Sequence, residues 1–396
     1  MKAALSRWAQ LTALRLSYTV HRRRVREKAI SWAVGPTEIA GIVRDIAHAV
    51  PGSYSALMSR HAMYGDDYDW LPPARGAVAR RLAGTFEGPW LLGRLAAQAR
   101  GVIFVGAGGF LWSVDRDVEY RFLKEHGVRV VCYFTGSDIR SPRLMHELEE
   151  KTGEPNISTW LRTVAPGYDS EAFDAAKRRM GETATAYADL IFTAQNDQRG
   201  YLPEDVEPFL YFYPDEEIGP PPGAIDEQER IVVVHAPSSP VIKGTQLVRA
   251  AVAKLRNEGW DFEYLELQDV TNAEVKAALS RAHIVLNEFF AFVPGVFAVE
   301  AMAAGCAVLT RAEEKFEPQL PPGSDDAWLV TRHFEVEKHL RLLLSDRARI
   351  TKQATAGRDW VLRHAVSSVS GAVLNRKLQA ALDSESAPQA PMRVLP

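Results

Sequence analysis

Cysteine and long apolar runs are scarce in this sequence. Cys132 and Cys306 are the only cysteines in 396 residues, and both lie in apolar runs. We therefore expect two buried thiols in a reducing compartment and no disulfide framework. No stretch approaches the roughly 18 uninterrupted apolar residues that a membrane-spanning helix needs. No cysteine–histidine cluster has the spacing of a zinc site, and we predict no resident metal.

Several motifs of nucleotide and hydrolase chemistry are also missing. The sequence contains no G-x-x-x-x-G-K-[ST] segment and no G-x-S-x-G elbow, which argues against a P-loop NTPase and a serine hydrolase. Gly106 and Gly108 supply the first two glycines of a dinucleotide fingerprint, but Leu111 stands where the third would be. We therefore expect neither a nicotinamide enzyme nor a bound cofactor.

Charge is unevenly distributed along the chain. There are 47 Lys and Arg residues against 50 Asp and Glu, a net charge of −3, which argues against nucleic acid as the partner of the whole protein. Residues 1–30 nevertheless hold eight basic residues and one acid, so the remaining chain carries −10. The N-terminus is thus a basic arm on an acidic body.

This arm, residues 1–29, is predicted to be a helix. Apolar residues recur along it every three or four positions and basic residues crowd its end, which is unlike a secretory signal. Two interpretations stay open: the apolar side packs on the body and the basic end is solvated, or residues 1–28 contact an anionic membrane or an anionic acceptor. We expect a cytoplasmic protein, peripheral at the inner membrane surface under the second interpretation. The residues are Leu5, Trp8, Leu11, Leu14 and Tyr18 on the apolar side and Arg22, Arg23, Arg24, Arg26 and Lys28 at the basic end.

Short apolar runs alternate with amphipathic stretches from Ile30 onwards, which predicts an α/β protein with mostly parallel sheets. The segment Gly219–Gly223 holds three consecutive prolines, and the strand–helix alternation restarts after it. We therefore predict two tandem Rossmann-like, doubly wound domains that face a central cleft. Their predicted bounds are 30–218 and 225–365, with a Pro/Gly linker at 219–224 and a C-terminal helix and mobile tail at 366–396. Local predictions in the first domain include a helix capped at Thr37, a strand at Ser53–Met58 and a helix at Pro89–Ala99.

One block of the second domain carries most of the functional information. A predicted strand at Ile284–Leu286 is followed by a loop, Gly295, a helix and another strand. The first amides of that helix, at Val296 and Phe297, are free donors at its positive end and suit a diphosphate. Glu300 lies within the first two turns, where its carboxylate can accept hydrogen bonds from the two vicinal hydroxyls of a ribose.

This block, with its Glu300-Ala-Met-Ala-Ala-Gly305-Cys-Ala-Val308 run, resembles the donor-binding segment of the GT-B retaining glycosyltransferases of family 4. The resemblance covers roughly residues 30–365. It implies that Glu300 binds the ribose of a nucleotide sugar and that the amides near Gly295 bind its diphosphate. The pair Lys243–Gly244 is similar to the family's Lys-Gly pair, whose lysine contacts the donor phosphate and helps to stabilise the leaving group without a metal. The predicted catalytic residues are Lys243, Glu288 and Asp138, and the remaining donor-binding residues are Val296, Phe297, Asn287 and Ser238.

The first domain contains a weaker match. Thr135-Gly136-Ser137-Asp138 is similar to the family's His-Gly-Ser-Asp turn, with Thr135 in place of the histidine. We expect this turn and the Gly108–Gly109 turn to line the acceptor side of the cleft, a plain strand–helix turn being the alternative for the glycines.

Two further positions depart from the family pattern. Phe292 stands eight residues before Glu300, where the family commonly has the first of two glutamates, and Glu288 is the candidate substitute. The arginine often found shortly before the Lys-Gly pair is also missing. The resemblance thus implies a glycosyltransferase, of hexosyl type, that uses a nucleotide diphosphate sugar with retention and without metal. The alternative is a non-catalytic GT-B scaffold that binds a nucleotide sugar or glycan, or serves as partner of an active transferase.

Overall fold

The computed structural model describes residues 2–24, 27–61, 65–73, 77–112 and 114–384. Arg26 of the predicted basic cluster and residues 385–396, which belong to the predicted tail, lie outside these ranges. The described chain contains two parallel sheets with helices packed against them, which confirms the predicted α/β fold class.

The first half of the chain forms a six-stranded parallel sheet in the order β2-β1-β3-β4-β5-β6. Its central strands are continuous apolar runs because helices cover both faces. The elements are α1 (Lys2–Arg22), β1 (Ile30–Pro36), α2 (Ile42–Ala49), β2 (Tyr54–Ser55), α3 (Ala77–Gln98), β3 (Ala99–Val105), α4 (Arg116–Glu125), β4 (Arg129–Tyr133), α5 (Pro142–Thr152), α6 (Ile157–Val164), α7 (Glu171–Tyr187), β5 (Leu190–Thr193) and β6 (Glu207–Pro208).

The second half forms a five-stranded parallel sheet in the order β11-β10-β9-β7-β8. Both cysteines are buried as free thiols, as the sequence predicts. The elements are β7 (Val232–His235), α8 (Thr245–Asn257), β8 (Glu263–Glu266), α9 (Asn272–Leu279), β9 (Ile284–Leu286), α10 (Gly295–Ala303), β10 (Ala307–Thr310), β11 (Leu329–Val330), α11 (Val336–Leu344), α12 (Arg347–His364) and α13 (Ser367–Asp383).

Each sheet has one place where the strand order reverses. In the first sheet it lies between β1 and β3, and in the second between β7 and β9. Loops that leave the carboxyl ends of such strands diverge to opposite faces and open a crevice there, which is where α/β proteins bind ligands. The predicted site residues follow β3, β4, β7 and β9, and therefore stand at or beside these two crevices.

Three local predictions are wrong. Helix α3 begins at Ala77, not at Pro89, and carries Pro89 in its interior. Strand β2 has two residues instead of the six expected from Ser53. Helix α2 begins at Ile42 because Gly41 (φ 83°) precedes it and the Glu38 carboxylate accepts from the amides of Val43 and Arg44 at 3.3 Å each, so Thr37 is not its cap.

The two halves are connected by an extended segment whose side chains alternate between two cores. Tyr211 and Tyr213 pack into the core of the second half, while Phe212 packs into that of the first half. The Pro/Gly segment comes later and already lies against the second half, where Gly219 N donates to Ala303 O at 2.9 Å.

The chain returns to the first half at its end. Leu374 and Leu378 of α13 are buried in the same core as Trp32, and Asn375 Nδ2 donates to Ala49 O at 2.8 Å. The two crossings lie side by side, since Tyr213 N donates to Ala365 O at 2.7 Å and Ser367 N donates to Tyr213 O at 2.8 Å.

Candidate functional site

An ion pair lies at the crevice between β7 and β9. Lys243 Nζ, in the loop before α8, is 3.0 Å from Glu288 Oε2, two residues past the end of β9. Both side chains are largely buried. The structure thus brings together two residues that the sequence predicts as catalytic, although they are 45 positions apart.

The start of α8 is fixed by His235. Its Nδ1 lies 2.7 Å from Leu286 O and its Nε2 lies 2.9 Å from Thr245 Oγ1, so the ring ties β9 to the first residue of α8. Burial lowers the pKa of His235 to about 4, and the ring is neutral near pH 7. This histidine is a structural residue that positions the Lys243 loop.

The loop from β9 to α10 exposes the first turn of that helix. Asn287 Nδ2 donates to Pro294 O at 2.8 Å, and Gly295 (φ 72°) turns the backbone into α10. Gly295 N donates to Tyr211 Oη at 3.2 Å. The amides of Val296 and Phe297 follow in the first turn, where a helix has no carbonyl to offer them. Asn287 Oδ1 is buried here and has no hydrogen-bond partner among the residues that the structure describes.

Glu300 lies one and a half turns further along α10, in a small cavity between the halves. Asn272 Nδ2 donates to Glu300 Oε1 at 3.1 Å, and burial raises the pKa of the Glu300 carboxyl above its usual range. Lys276 of α9 lines the same cavity, as do Arg44 and Asp45 of α2 from the first half. Its volume is about 40 Å³, room for a few water molecules and not for a nucleoside.

The predicted turn after β4 is held by hydrogen bonds among its own residues. The Asp138 carboxylate accepts from the amides of Thr135 (2.9 Å), Gly136 (2.7 Å) and Ile139 (3.0 Å), and from Thr135 Oγ1. Ser137 is exposed and its Oγ lies 3.4 Å from Arg140 Nη1. Asp138 therefore stabilises the turn in which it lies.

The glycines after β3 serve close packing. A Cβ atom on Gly108 would lie 2.0 Å from Thr37 Oγ1, and one on Gly109 would lie 0.7 Å from Arg116 Nη1. A Cβ atom on Gly106 would be 3.6 Å from Asp138 Oδ2, so the loops after β3 and β4 lie against each other. The predicted acceptor-side residues thus lie together at the first crevice. Many of their hydrogen bonds are made to other groups of the first half.

Phe292 is buried between the two halves. It packs in a cluster with Met145 and Leu148 of α5 and with Phe316, whose ring stacks on it at a centroid distance of 5.3 Å. The Arg311 guanidinium lies over the Phe316 ring at 4.3 Å. The position at which the resemblance implies a glutamate therefore makes an apolar contact across the interface.

Polar contacts that the sequence does not predict join the same interface. The Glu317 carboxylate accepts from three successive amides of the first half, those of Gln195 (3.0 Å), Asn196 (2.9 Å) and Asp197 (2.9 Å). Asp197 Oδ1 in turn accepts from Phe292 N at 2.8 Å. Burial raises the pKa of Glu317 to about 7. Tyr211, Asn272 and Lys276 were likewise missed, because no local pattern marks them; Ser238, which was predicted, is exposed in the loop after β7.

No group of three or more His, Cys, Asp or Glu side chains within the described ranges has the arrangement of a metal site. Asp69, one of three aspartates near β2, accepts from Ser55 N at 2.7 Å and holds its own loop. Among the helices of the part that the structure describes, none is long and apolar enough to cross a membrane.

Comparison with known proteins gives one family match, confined to the second half of the chain. A model of the family "Glycosyl transferase-like" matches residues 235–369, the segment that carries Lys243, Glu288 and Glu300. No curated protein matches the sequence.

Three solved structures share the whole two-unit arrangement. HepE of Anabaena, solved in complex with UDP-glucose, is 12% identical with a TM-score of 0.55, over 89% of this chain and 98% of that one. Sucrose-phosphate synthase from Thermosynechococcus elongatus is 12% identical with a TM-score of 0.59, over 90% and 100%. WaaG, a glycosyltransferase involved in lipopolysaccharide biosynthesis, is 14% identical with a TM-score of 0.50, over 89% and 98%. The chain therefore has the GT-B fold of these proteins, as its sequence resemblance implies.

Proposed function

We propose that this protein is a glycosyltransferase that moves a hexose-type sugar from a nucleotide diphosphate donor to an acceptor, with retention and without a divalent metal. The observation that supports it best is that Lys243 pairs with Glu288 beside Gly295 at the start of α10, with Glu300 further along the same helix, all within the segment that matches the family model.

In this proposal the donor's diphosphate lies against the amides of Val296 and Phe297. The positive end of α10 and the Lys243 ammonium supply the charge that stabilises it as it leaves. The bond between the anomeric carbon and the diphosphate breaks, the acceptor oxygen bonds to the same face of that carbon, and the acceptor's proton departs with the diphosphate. Glu300 accepts hydrogen bonds from the ribose hydroxyls.

Two contacts must change when the donor binds. Lys243 now pairs with Glu288, so the diphosphate has to draw its ammonium away from, or share it with, that carboxylate. The cavity beside Glu300 is bounded by Arg44 and Asp45 of α2, so a nucleoside enters only when α2 moves away from α10. Donor binding is therefore coupled to separation of the two halves.

The test is a thermal-shift panel of nucleoside diphosphates and nucleotide sugars, run on EDTA-treated protein with and without added Mg²⁺ or Mn²⁺. A ligand that binds the folded state raises the midpoint temperature of unfolding by mass action. The nucleotide that gives the largest rise identifies the base of the donor. We expect a response that does not depend on the metal. Binding that disappears with EDTA and returns with Mg²⁺ would overturn the proposal that no metal is needed. The absence of a response to any nucleotide would overturn the proposed function itself.

Phe292 supports a second candidate, a non-catalytic protein that binds a nucleotide sugar or a glycan, or that partners an active transferase. An apolar residue held between Met145, Leu148 and Phe316 cannot contact a sugar hydroxyl as a glutamate would. Slow hydrolysis of the donor in the absence of acceptor separates the two. A protein that binds the donor but never releases the free sugar is the binder.

A further inference from the structure

The described part of the first half exposes several large apolar side chains in one region. Five of them lie along α1 and along the second part of α3, which pack side by side. The exposed fractions are 69% for Leu5, 66% for Trp8, 55% for Leu16, 55% for Phe86 and 42% for Trp90.

The apolar stripe predicted on α1 is divided between two sides of the helix. Leu14 is 1% exposed, and Leu11 and Tyr18 pack against the same core. Gly93 of α3 allows this close approach, since a Cβ atom there would lie 2.5 Å from Leu14 O. Helix α1 thus packs on the core through Leu11, Leu14 and Tyr18. Leu5, Trp8 and Leu16 stay exposed.

The outward residues follow helical spacing. Exposed positions 5, 8, 12, 16 and 19 succeed one another at steps of three or four, which places them on one face of α1. Trp8, Leu16, Phe86 and Trp90 line a single open groove of about 970 Å³ between α1 and α3. We call this groove and its rim the α1–α3 face.

The α1–α3 face is mainly basic, although Glu87 also lines its groove. Arg15, Arg23 and Arg24 are exposed on α1 or just beyond it, and Arg24 and Arg94 line the groove itself. Lys28, predicted as part of the cluster, instead turns to the body, where its Nζ donates to Gly127 O at 3.2 Å; burial and then the charges of Arg22 and Arg100 lower its pKa to about 8. The exposed cations of the cluster are arginines, of which Arg24 lines the same groove as Trp8 and Trp90.

We propose that the α1–α3 face docks on the surface of an anionic lipid bilayer. Indole rings favour the headgroup region because one part of the ring is apolar and the other hydrogen-bonds, and arginines beside them bind lipid phosphates. Outside residues 1–30 the chain carries −10, so an anionic surface attracts this face and repels the rest. The helix lies on the bilayer with its apolar side in the headgroup region.

This docking surface is independent of the proposed reaction, since it uses no residue of the donor site. It is tested by co-sedimentation of the full chain with phosphatidylcholine vesicles, with and without phosphatidylglycerol. We expect sedimentation with the anionic vesicles at low salt and its loss at about 0.5 M salt, because salt screens surface charge.

Two double variants divide the contributions, and each has a matched control. Arg15→Glu with Arg23→Glu should lower the vesicle partition coefficient by at least about 30-fold. Trp8→Gln with Phe86→Gln should also lower the partition coefficient at low salt, although the basic residues are unchanged, because less apolar area enters the headgroup region. Trp112→Gln, an exposed indole that does not line the groove, and Lys352→Glu, an exposed cation of α12, should leave the partition coefficient unchanged. Near-equal melting curves establish that the variants are folded.

Quenching of tryptophan fluorescence by brominated lipids tests the same contact in the unaltered chain. We expect quenching that Trp8→Phe reduces and Trp112→Phe does not. Three results would overturn the proposal: no sedimentation of the intact chain with anionic vesicles at low salt, equal loss in the control variants, or a change of oligomeric state in the Trp8/Phe86 variant without vesicle binding. The last would assign the face to a second copy of the chain.

Discussion

The two crevices of this molecule use their polar side chains differently. At the first, the Asp138 carboxylate is saturated by the amides of its own turn. At the second, Lys243 pairs with Glu288, neither side chain has another hydrogen-bond partner among the described residues, and the first amides of α10 have no partner within the helix. A polar group whose hydrogen bonds are all made within its own loop stabilises the fold. A polar group with a single partner can exchange that partner for a ligand. The comparison predicts that changes at the second crevice cost binding and turnover, and changes at the first cost stability.

The largest expected effect is that of Lys243→Ala on turnover. Loss of the cation facing the leaving diphosphate should reduce the rate of donor hydrolysis and of transfer by about 10²–10³. Stability also falls, by about 1–3 kcal/mol, because the Glu288 carboxylate stays buried without its partner. Rates are measured below the unfolding temperature of the variant.

Lys254→Ala is the matched control, since Lys254 is an exposed lysine of α8 that pairs with Glu337. If the Lys243 variant hydrolyses the donor as fast as this control, Lys243 does not contact the leaving diphosphate.

Glu300→Ala should weaken binding of the nucleoside diphosphate by roughly tenfold to thousandfold, because it loses charge-assisted hydrogen bonds to two hydroxyls. Calorimetry measures the affinity, with the exposed Glu227→Ala as control. Unchanged affinity would mean that the ribose lies elsewhere. A loss seen with ribose but not with a 2′,3′-dideoxyribose analogue would locate the contact at the hydroxyls.

The interface between the halves should depend on pH through Glu317. Its pKa is raised from 4.5 to about 7, so the protonated carboxyl stabilises the folded state, and this stabilisation is present below about pH 4.5 and lost as the pH rises through 7. Relative to Glu317→Gln, the free energy of unfolding of the unaltered protein should fall by about 3 kcal/mol over that range. Urea unfolding at several pH values measures it. Exposed Glu182→Gln should track the unaltered protein, and a flat difference for Glu317→Gln would contradict the prediction.

Asp138→Ala should give the smallest change. Several amides of the turn lose their acceptor, which costs about 1–3 kcal/mol of unfolding free energy, while the affinity for nucleoside diphosphate stays the same. Unchanged stability combined with a large loss of transfer would reverse the comparison and support the catalytic role that the resemblance implies for Asp138.

Local patterns predicted β9 and α10, because each is encoded by adjacent residues: an apolar run for β9, and a glycine followed by a helical segment for α10. Side chains that complete the site from elsewhere were not predictable. Asn272 reaches Glu300 from 28 positions away and Tyr211 reaches Gly295 from 84, so only the tertiary fold brings them together. Periodicity likewise placed Trp8 and Leu14 on one stripe, since it cannot tell which apolar residues a neighbouring helix will cover.

The paired crossings of the chain restrict how the cleft can open. One connection runs through Tyr211–Tyr213, the other enters α13, and two hydrogen bonds tie them together at Tyr213. Two adjacent, bonded connections favour rotation of the halves about this line over sliding. Tyr213 also lines the cavity between α2 and α10, so the space that a nucleoside needs opens beside the line of rotation, where a given angle displaces atoms least.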